Sequence, residues 1–322
     1  MSDPLKAPFP YFGSKYLVAD EIWQAFGSIT NYVEPFAGSL SVLLNRPHPS
    51  RGSETVNDLD CHLVNVWRSI AAAPEKLAEL LIAPVAEANA EAQHNALVQG
   101  APEMRELMAD PLSHDLTCAA WWIKGANEWI GTGWCTGEGP WSWTPEGGWV
   151  TSSGTGVNRQ LPHIGNAGRG VNRQLPHIGD AGKGIFARRI EFVRGWLCAL
   201  RDRLSGVRIA CGDWKRICQP SGTTRHGMTG VFLDPPYIGT EYVYDSAPVC
   251  DSVREWCEAN SSDPLLRIIL AGRGTDHDEL GWHRIEWSGK VGYSKTEDRH
   301  DEVLWLSPNC IITDPAQATF DF

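Results

Sequence analysis

The sequence predicts an α/β fold: a parallel sheet with helices on both faces, interrupted by one large insertion. Two observations carry this reading. Short apolar stretches recur along the chain and run into loops of small or special residues, with helical stretches between them. The middle third then departs from that pattern in composition.

The first strand is Tyr32-Val33-Glu34, which runs into Pro35-Phe36-Ala37-Gly38. Thr55-Val56-Asn57-Asp58 follows as the end of a second. Leu63 to Leu81 places Val66, Ile70, Leu77, Leu80 and Leu81 at helical spacing, with a break at Pro74. Phe186 to Leu204 is a helix with Ile190, Val193, Leu197 and Leu200 on one face and arginines on the other. Val207-Arg208-Ile209-Ala210 is a strand ending in Cys-Gly-Asp, and Val231-Phe232-Leu233 is one ending in Asp-Pro-Pro. Arg267-Ile268-Ile269-Leu270 ends in Ala-Gly-Arg-Gly, and Glu302-Val303-Leu304-Trp305-Leu306 closes the series.

A chain of 322 residues makes about two domains, or one domain carrying an insertion. The composition change places the insertion at 84–184, leaving 1–83 and 185–322 as one discontinuous domain. Seven of the fifteen tryptophans fall between Trp121 and Trp149. Gly156 to Gly165 recurs unchanged as Gly170 to Gly179, fourteen residues on. Two copies are too few for a solenoid, so a duplicated loop or hairpin is expected.

No apolar run approaches the ~18 residues that span a bilayer, and Met1 to Pro10 carries no charged-then-apolar leader. A membrane or secreted protein is therefore not expected. The nine cysteines are odd in number and include no C-x-x-C pair, which predicts reduced thiols in a cytoplasmic compartment. His163 and His177 occupy equivalent repeat positions but have no third ligand at a useful spacing, so no metal site is expected.

The net charge of −11 argues against a polyanionic partner until it is resolved by region. Val85 to Gly148 holds nine acids and two bases, whereas Thr151 to Arg203 holds nine bases and three acids. Phosphates could meet that basic block, Arg159 and Arg173 included. A solvated face is the alternative.

Four motifs carry chemistry. Asp234-Pro235-Pro236-Tyr237 puts a carboxylate at the C-terminal end of a strand, where α/β sheets bind ligands. Two prolines remove amide donors and stiffen the loop while their carbonyls still accept hydrogen bonds. A carboxylate, a rigid carbonyl and an aromatic face suit a planar heterocycle bearing an exocyclic amine, though a plain Pro-Pro turn would also end a strand. Glu34-Pro35-Phe36-Ala37-Gly38 is a strand-to-helix turn of the kind that holds a nucleoside cofactor. Asp58 lies at the distance expected of a ribose-binding acid. Tyr11-Phe12-Gly13-Ser14-Lys15 could shelter a cationic ligand tail or simply anchor a strand. Asp213-Trp214 adds another acid and ring at a strand end.

Taken together and in this order, these motifs resemble the Dam-type adenine-N6 DNA methyltransferases, which use S-adenosylmethionine. The resemblance covers Pro8 to Ser69 and Val207 to Tyr237, and more loosely Arg299 to Ser307. It implies a Rossmann-like methyltransferase sheet whose insertion recognises the target in double-stranded DNA. It would make Tyr11, Phe12, Gly13 and Lys15 cofactor contacts. Glu34, Pro35, Phe36 and Gly38 would form the cofactor loop, Asp58 would hold the ribose, and Asp213 with Trp214 would flank the cofactor adenine. Asp234, Pro235, Pro236 and Tyr237 would receive the flipped target base. The sequence departs from the family pattern at Ser39-Leu40-Ser41, where a second glycine is usual, and at Ser14. Cytosine N4, adenine in RNA, or a silent DNA-binding scaffold are the rival readings. The resemblance implies a bacterial or phage protein acting on DNA, within a restriction-modification setting or outside one, with no obligate protein partner.

Overall fold

The computed structural model describes residues 5–11, 13–47, 52–82, 87–128, 141–144, 148–151, 186–236, 246–288 and 301–312. The described chain divides into two compact units. The first comprises 1–6, 12–59 and 206–322, and the second 7–11 and 60–205. The stretch 84–184 lies inside the second unit.

The first unit is built on one seven-stranded sheet. Its strands are β1 (Asn31–Glu34), β2 (Ser53–Asp58), β5 (Val207–Cys211), β6 (Thr229–Leu233), β7 (Leu266–Arg273), β8 (His283–Ser288) and β9 (Asp301–Leu306). They lie in the order β5-β2-β1-β6-β7-β9-β8. Strands β5, β2, β1, β6 and β7 pair in parallel, and β9 runs antiparallel to both of its neighbours. This is the Rossmann-like sheet expected from sequence.

The strand order reverses direction at β1, with β2 on one side and β6 on the other. Such a reversal opens a crevice beyond the carboxyl ends of the two central strands.

Each face of the sheet has its own cover. Helix α1 (Ala19–Phe26) buries Ile22, Trp23, Ala25 and Phe26. Its Trp23 and Phe26 rings lie 4.7 and 6.0 Å from that of Tyr32 on β1. The helix comes so close that a Cβ on Gly230 of β6 would stand 2.9 Å from Phe26 Cδ1, so only glycine fits there. On the opposite face, Val33, Val231, Leu233, Ile268, Leu270, Val303 and Trp305 form one core with Val253 and Cys257 of α9 (Ser246–Asn260). Between β1 and β2 lies the single turn α2 (Ser41–Leu44).

The second unit is mostly helical: α3 (Cys61–Ala72), α4 (Pro74–Leu81), α5 (Glu87–Gln99), α6 (Ala101–Met108), α7 (Leu116–Glu128) and α8 (Phe186–Leu204). A short hairpin of β3 (Trp141–Thr144) and β4 (Gly148–Thr151) joins them. Asp60 caps α3 by accepting from the His62 and Leu63 amides at 2.8 and 3.2 Å. Pro74 opens α4, where a missing N–H costs nothing. Asn65 and Asp115 exchange reciprocal hydrogen bonds at 2.8 and 2.7 Å, which ties α3 to the start of α7. Among the described residues no helix is long and apolar enough to cross a membrane.

Candidate active site at the carboxyl edge of the sheet

Three strand-end loops meet beside the reversal point. The turn after β1 begins with Pro35 and reaches α2 through Gly38, Ser39 and Leu40. Gly38 and Leu40 both adopt left-handed conformations, with φ of 47° and 55°. Leu40, a completely buried leucine, therefore stands where the backbone favours glycine. The Gly38 amide donates to Asp58 Oδ2 at 2.9 Å, so the turn orients the carboxylate at the end of β2.

Asn57 fastens the loops from below. Its buried side-chain amide donates to the Pro35 carbonyl at 3.1 Å and to the Gly212 carbonyl at 2.8 Å. Its own carbonyl accepts from the Ala37 amide at 2.9 Å, and that of Asp58 from the Gly212 amide at 3.0 Å. The loops after β1, β2 and β5 are thus one hydrogen-bonded assembly.

The remaining sequence-derived residues fall around it. Phe36 packs on Trp214 with ring centroids 5.9 Å apart. Trp214 is buried in the α9-side core, 6.2 Å from the Trp256 ring. Asp213 is exposed and accepts from the Lys215 amide at 2.8 Å, which caps the short helix Trp214–Arg216. Glu34 is buried and accepts from the Tyr32 hydroxyl at 3.0 Å. Burial, and then the Glu34 carboxylate, push the Tyr32 phenol well above its ordinary pKa, so it remains a donor.

Asp234 follows β6 directly. By strand register it lies level with Phe36 and Asp58, with β1 between it and β2. Two strand spacings amount to about 10 Å, so both carboxylates border one edge of the crevice. Lys15 meets Asp234: its Nζ lies 2.8 Å from Asp234 Oδ2 and 2.7 Å from the Gly13 carbonyl. The Lys15 amide donates to Ser41 Oγ at 3.0 Å, joining this residue to the start of α2 as well. Pro235 is buried, and the Pro236 carbonyl accepts from Cys250 Sγ of α9 at 3.0 Å.

Tyr11 belongs to the second unit, where its ring lies 6.4 Å from that of Phe9. Phe12 and Tyr237 lie outside the described residues, as do both copies of the tandem repeat, His163, His177, Arg159 and Arg173. Of the basic block, Arg194 and Arg201 pair with Glu79 and Glu75 of α4 at 3.4 and 3.1 Å. Sequence reasoning gave no role to Asn57, Cys250 or Glu302. Asn57 adjoins an assigned acid and Glu302 lies in an assigned strand, but their partners are distant in the chain.

Residues 11–95 match the family model of the D12 class N6 adenine-specific DNA methyltransferases. This is the family that the sequence motifs resemble. The match takes in Lys15, the Glu34 to Gly38 turn and Asp58, and ends before Asp213 and Asp234. No curated protein matches the chain.

Proposed function

We propose that this chain methylates the N6 amine of adenine in double-stranded DNA, using S-adenosylmethionine. The observation that carries the reading is the shared edge: Asp58, oriented by Gly38, and Asp234, held by Lys15, border one crevice at the strand reversal. The family match over residues 11–95 supports the same chemistry.

The donor and acceptor set fits the cofactor. A carboxylate at the end of β2 suits a ribose diol, and the Gly38 turn lets backbone approach a ligand closely. Phe36, half-buried on Trp214, offers an apolar surface beside it. When bound, S-adenosylmethionine supplies an electrophilic methyl group.

The chain's own residues then act on the base. The Asp234 carboxylate and the Pro235 carbonyl accept the two hydrogens of the exocyclic amine. This concentrates the nitrogen lone pair, which ring conjugation otherwise withdraws. Cys250 and the fixed proline φ angles hold the loop still, so orientation supplies much of the acceleration. A base paired inside a duplex cannot reach this edge and must be flipped out, at a cost of a few kcal/mol. Stacking on Tyr237 offsets part of that, and the inserted region 84–184 selects the target.

The test is to express the full chain in cells whose DNA lacks methylated bases and to analyse the hydrolysed DNA. N6-methyladenine is expected with the wild-type chain and absent with Asp234→Ala, whose DNA binding persists. N4-methylcytosine in its place, or full methylation by a folded Asp234→Ala chain, would overturn the assignment.

A further inference from the structure

Tyr32 and Glu34 stand two residues apart on β1, so their side chains leave the same face of the sheet. Val33 between them faces the α9-side core instead. The Tyr32 hydroxyl donates to Glu34 Oε2 at 3.0 Å, and the two residues are 0% and 2% exposed, so water does not compete for this bond. Packing on Trp23 and Phe26 of α1 fixes the phenol ring, and with it the place of the hydroxyl. Burial keeps that hydroxyl protonated and therefore a donor. A carboxylate offers about four lone-pair sites, so the bond from Tyr32 sets its direction without exhausting it.

On the adenine reading given above, the cofactor's ribose meets Asp58 beyond β2, and its methyl meets a base at Asp234 beyond β6. Strand β1 lies between those two strands, and Glu34 is its last residue. A molecule that reaches from one carboxylate to the other passes the end of β1. The part that does so is the sulfonium with its methionine arm. We propose that Tyr32 is a positioning residue for the cofactor: its hydroxyl holds the Glu34 carboxylate in the direction that meets the sulfonium–methionine end of S-adenosylmethionine. This rests on that reading and adds to it a residue that acts through another. The arm's ammonium donates hydrogen bonds, and an acceptor already oriented in a largely dry site binds such a donor better than one free to turn in water.

The experiment titrates the full chain and Tyr32→Phe with S-adenosylmethionine by calorimetry, and with 5′-methylthioadenosine by competition. The second ligand keeps the adenosine and the sulfur but lacks the methionine arm and the positive charge. Phenylalanine keeps the ring that packs on Trp23 and Phe26, and circular dichroism checks that the variant folds. We expect S-adenosylmethionine affinity to fall about tenfold, the low end for a hydrogen bond to a charged group, while methylthioadenosine affinity stays within about twofold. A role in the core alone would move both ligands alike.

A fall confined to S-adenosylmethionine and of about threefold or more supports the proposal, and a smaller one overturns it. An equal fall for both ligands overturns it too. If Tyr32→Phe does not fold, Glu34→Gln decides, because its amide oxygen still accepts from Tyr32 but is a weaker acceptor for the arm. A fall confined to S-adenosylmethionine then supports the proposal, and a shared fall or none overturns it. A wild-type chain that binds no S-adenosylmethionine would instead bring down the cofactor reading, and this inference with it.

Discussion

The backbone amide of Gly38 donates to Asp58 Oδ2 at 2.9 Å, so one peptide group in the turn after β1 sets the direction of the carboxylate that ends β2. If that carboxylate holds a ribose, Asp58→Ala removes a charged hydrogen-bond partner worth about 1.5–3 kcal/mol, roughly ten- to a hundredfold in cofactor affinity. Asp58→Asn keeps an acceptor for Gly38 and should lose less. Calorimetric titration with S-adenosylmethionine checks both, and unchanged affinity in Asp58→Ala would remove Asp58 from the cofactor site.

Leu40 tests how the turn tolerates a side chain at a left-handed backbone position. Its φ of 55° costs a non-glycine residue about 1–2 kcal/mol, and its complete burial returns more than that. Truncation to alanine keeps the backbone strain and forfeits about 2–5 kcal/mol of packing. Truncation to glycine forfeits the packing but relieves the strain. Both variants should therefore be less stable than wild type, with Leu40→Gly the better by about 1 kcal/mol. Urea unfolding midpoints that rank alanine above glycine would contradict this.

Cys250 is expected to act as a hydrogen-bond donor and not as a nucleophile. Burial, chiefly, pushes its thiol up to about 11, so at pH 8 it stays protonated and donates to Pro236. Mass spectrometry after brief alkylation at that pH should find Cys250 unmodified in the native chain and modified after unfolding. Cys250→Ser should preserve methyl transfer better than Cys250→Ala, since only serine keeps the donor. Rapid native labelling would place this residue outside the core.

Acid should weaken the fold through buried histidines. Burial lowers the pKa of His62, His94 and His277 below the ordinary value. Between the folded and ordinary values the unfolded chain binds more protons, so stability is intact above about pH 6.5 and declines as pH falls below it. Each histidine contributes at most about 1.4 kcal/mol per pH unit across that window. Replacing His277 with glutamine should flatten the decline measured by unfolding at pH 7, 6 and 5. An unchanged slope would show that His277 is not one of its sources.

The sheet was legible in the sequence where strands are buried on both faces. Val231-Phe232-Leu233 is completely enclosed, so its apolar run needs no periodic signal to betray it. Helix α8 was legible to its ends because its apolar face repeats at helical spacing. Edge strand β8 was not. His283-Arg284-Ile285-Glu286-Trp287 holds two apolar residues among three polar ones, remains partly exposed, and is too short and polar a run to stand out from a loop. Helix α5 lies in a stretch read only as an insertion, because its apolar residues follow no single stripe.

At the site, the strand-end acids could be named because each follows an apolar run. Their partners could not. Lys15 and Asp234 are 219 residues apart, and only the folded chain brings them together. The family resemblance makes Lys15 a cofactor contact, and the ion pair its ammonium forms with the Asp234 carboxylate is nowhere written in the sequence around it.

Asn57 makes the three loops around the crevice inseparable. Its single amide is spent on two carbonyls that belong to different loops, Pro35 and Gly212, and it is wholly enclosed. A chimera that grafts any one of these loops from a related enzyme risks stranding a polar hydrogen in a dry seam. Exchange of cofactor preference by loop transplantation should therefore succeed only when all three segments travel together with the asparagine beneath them.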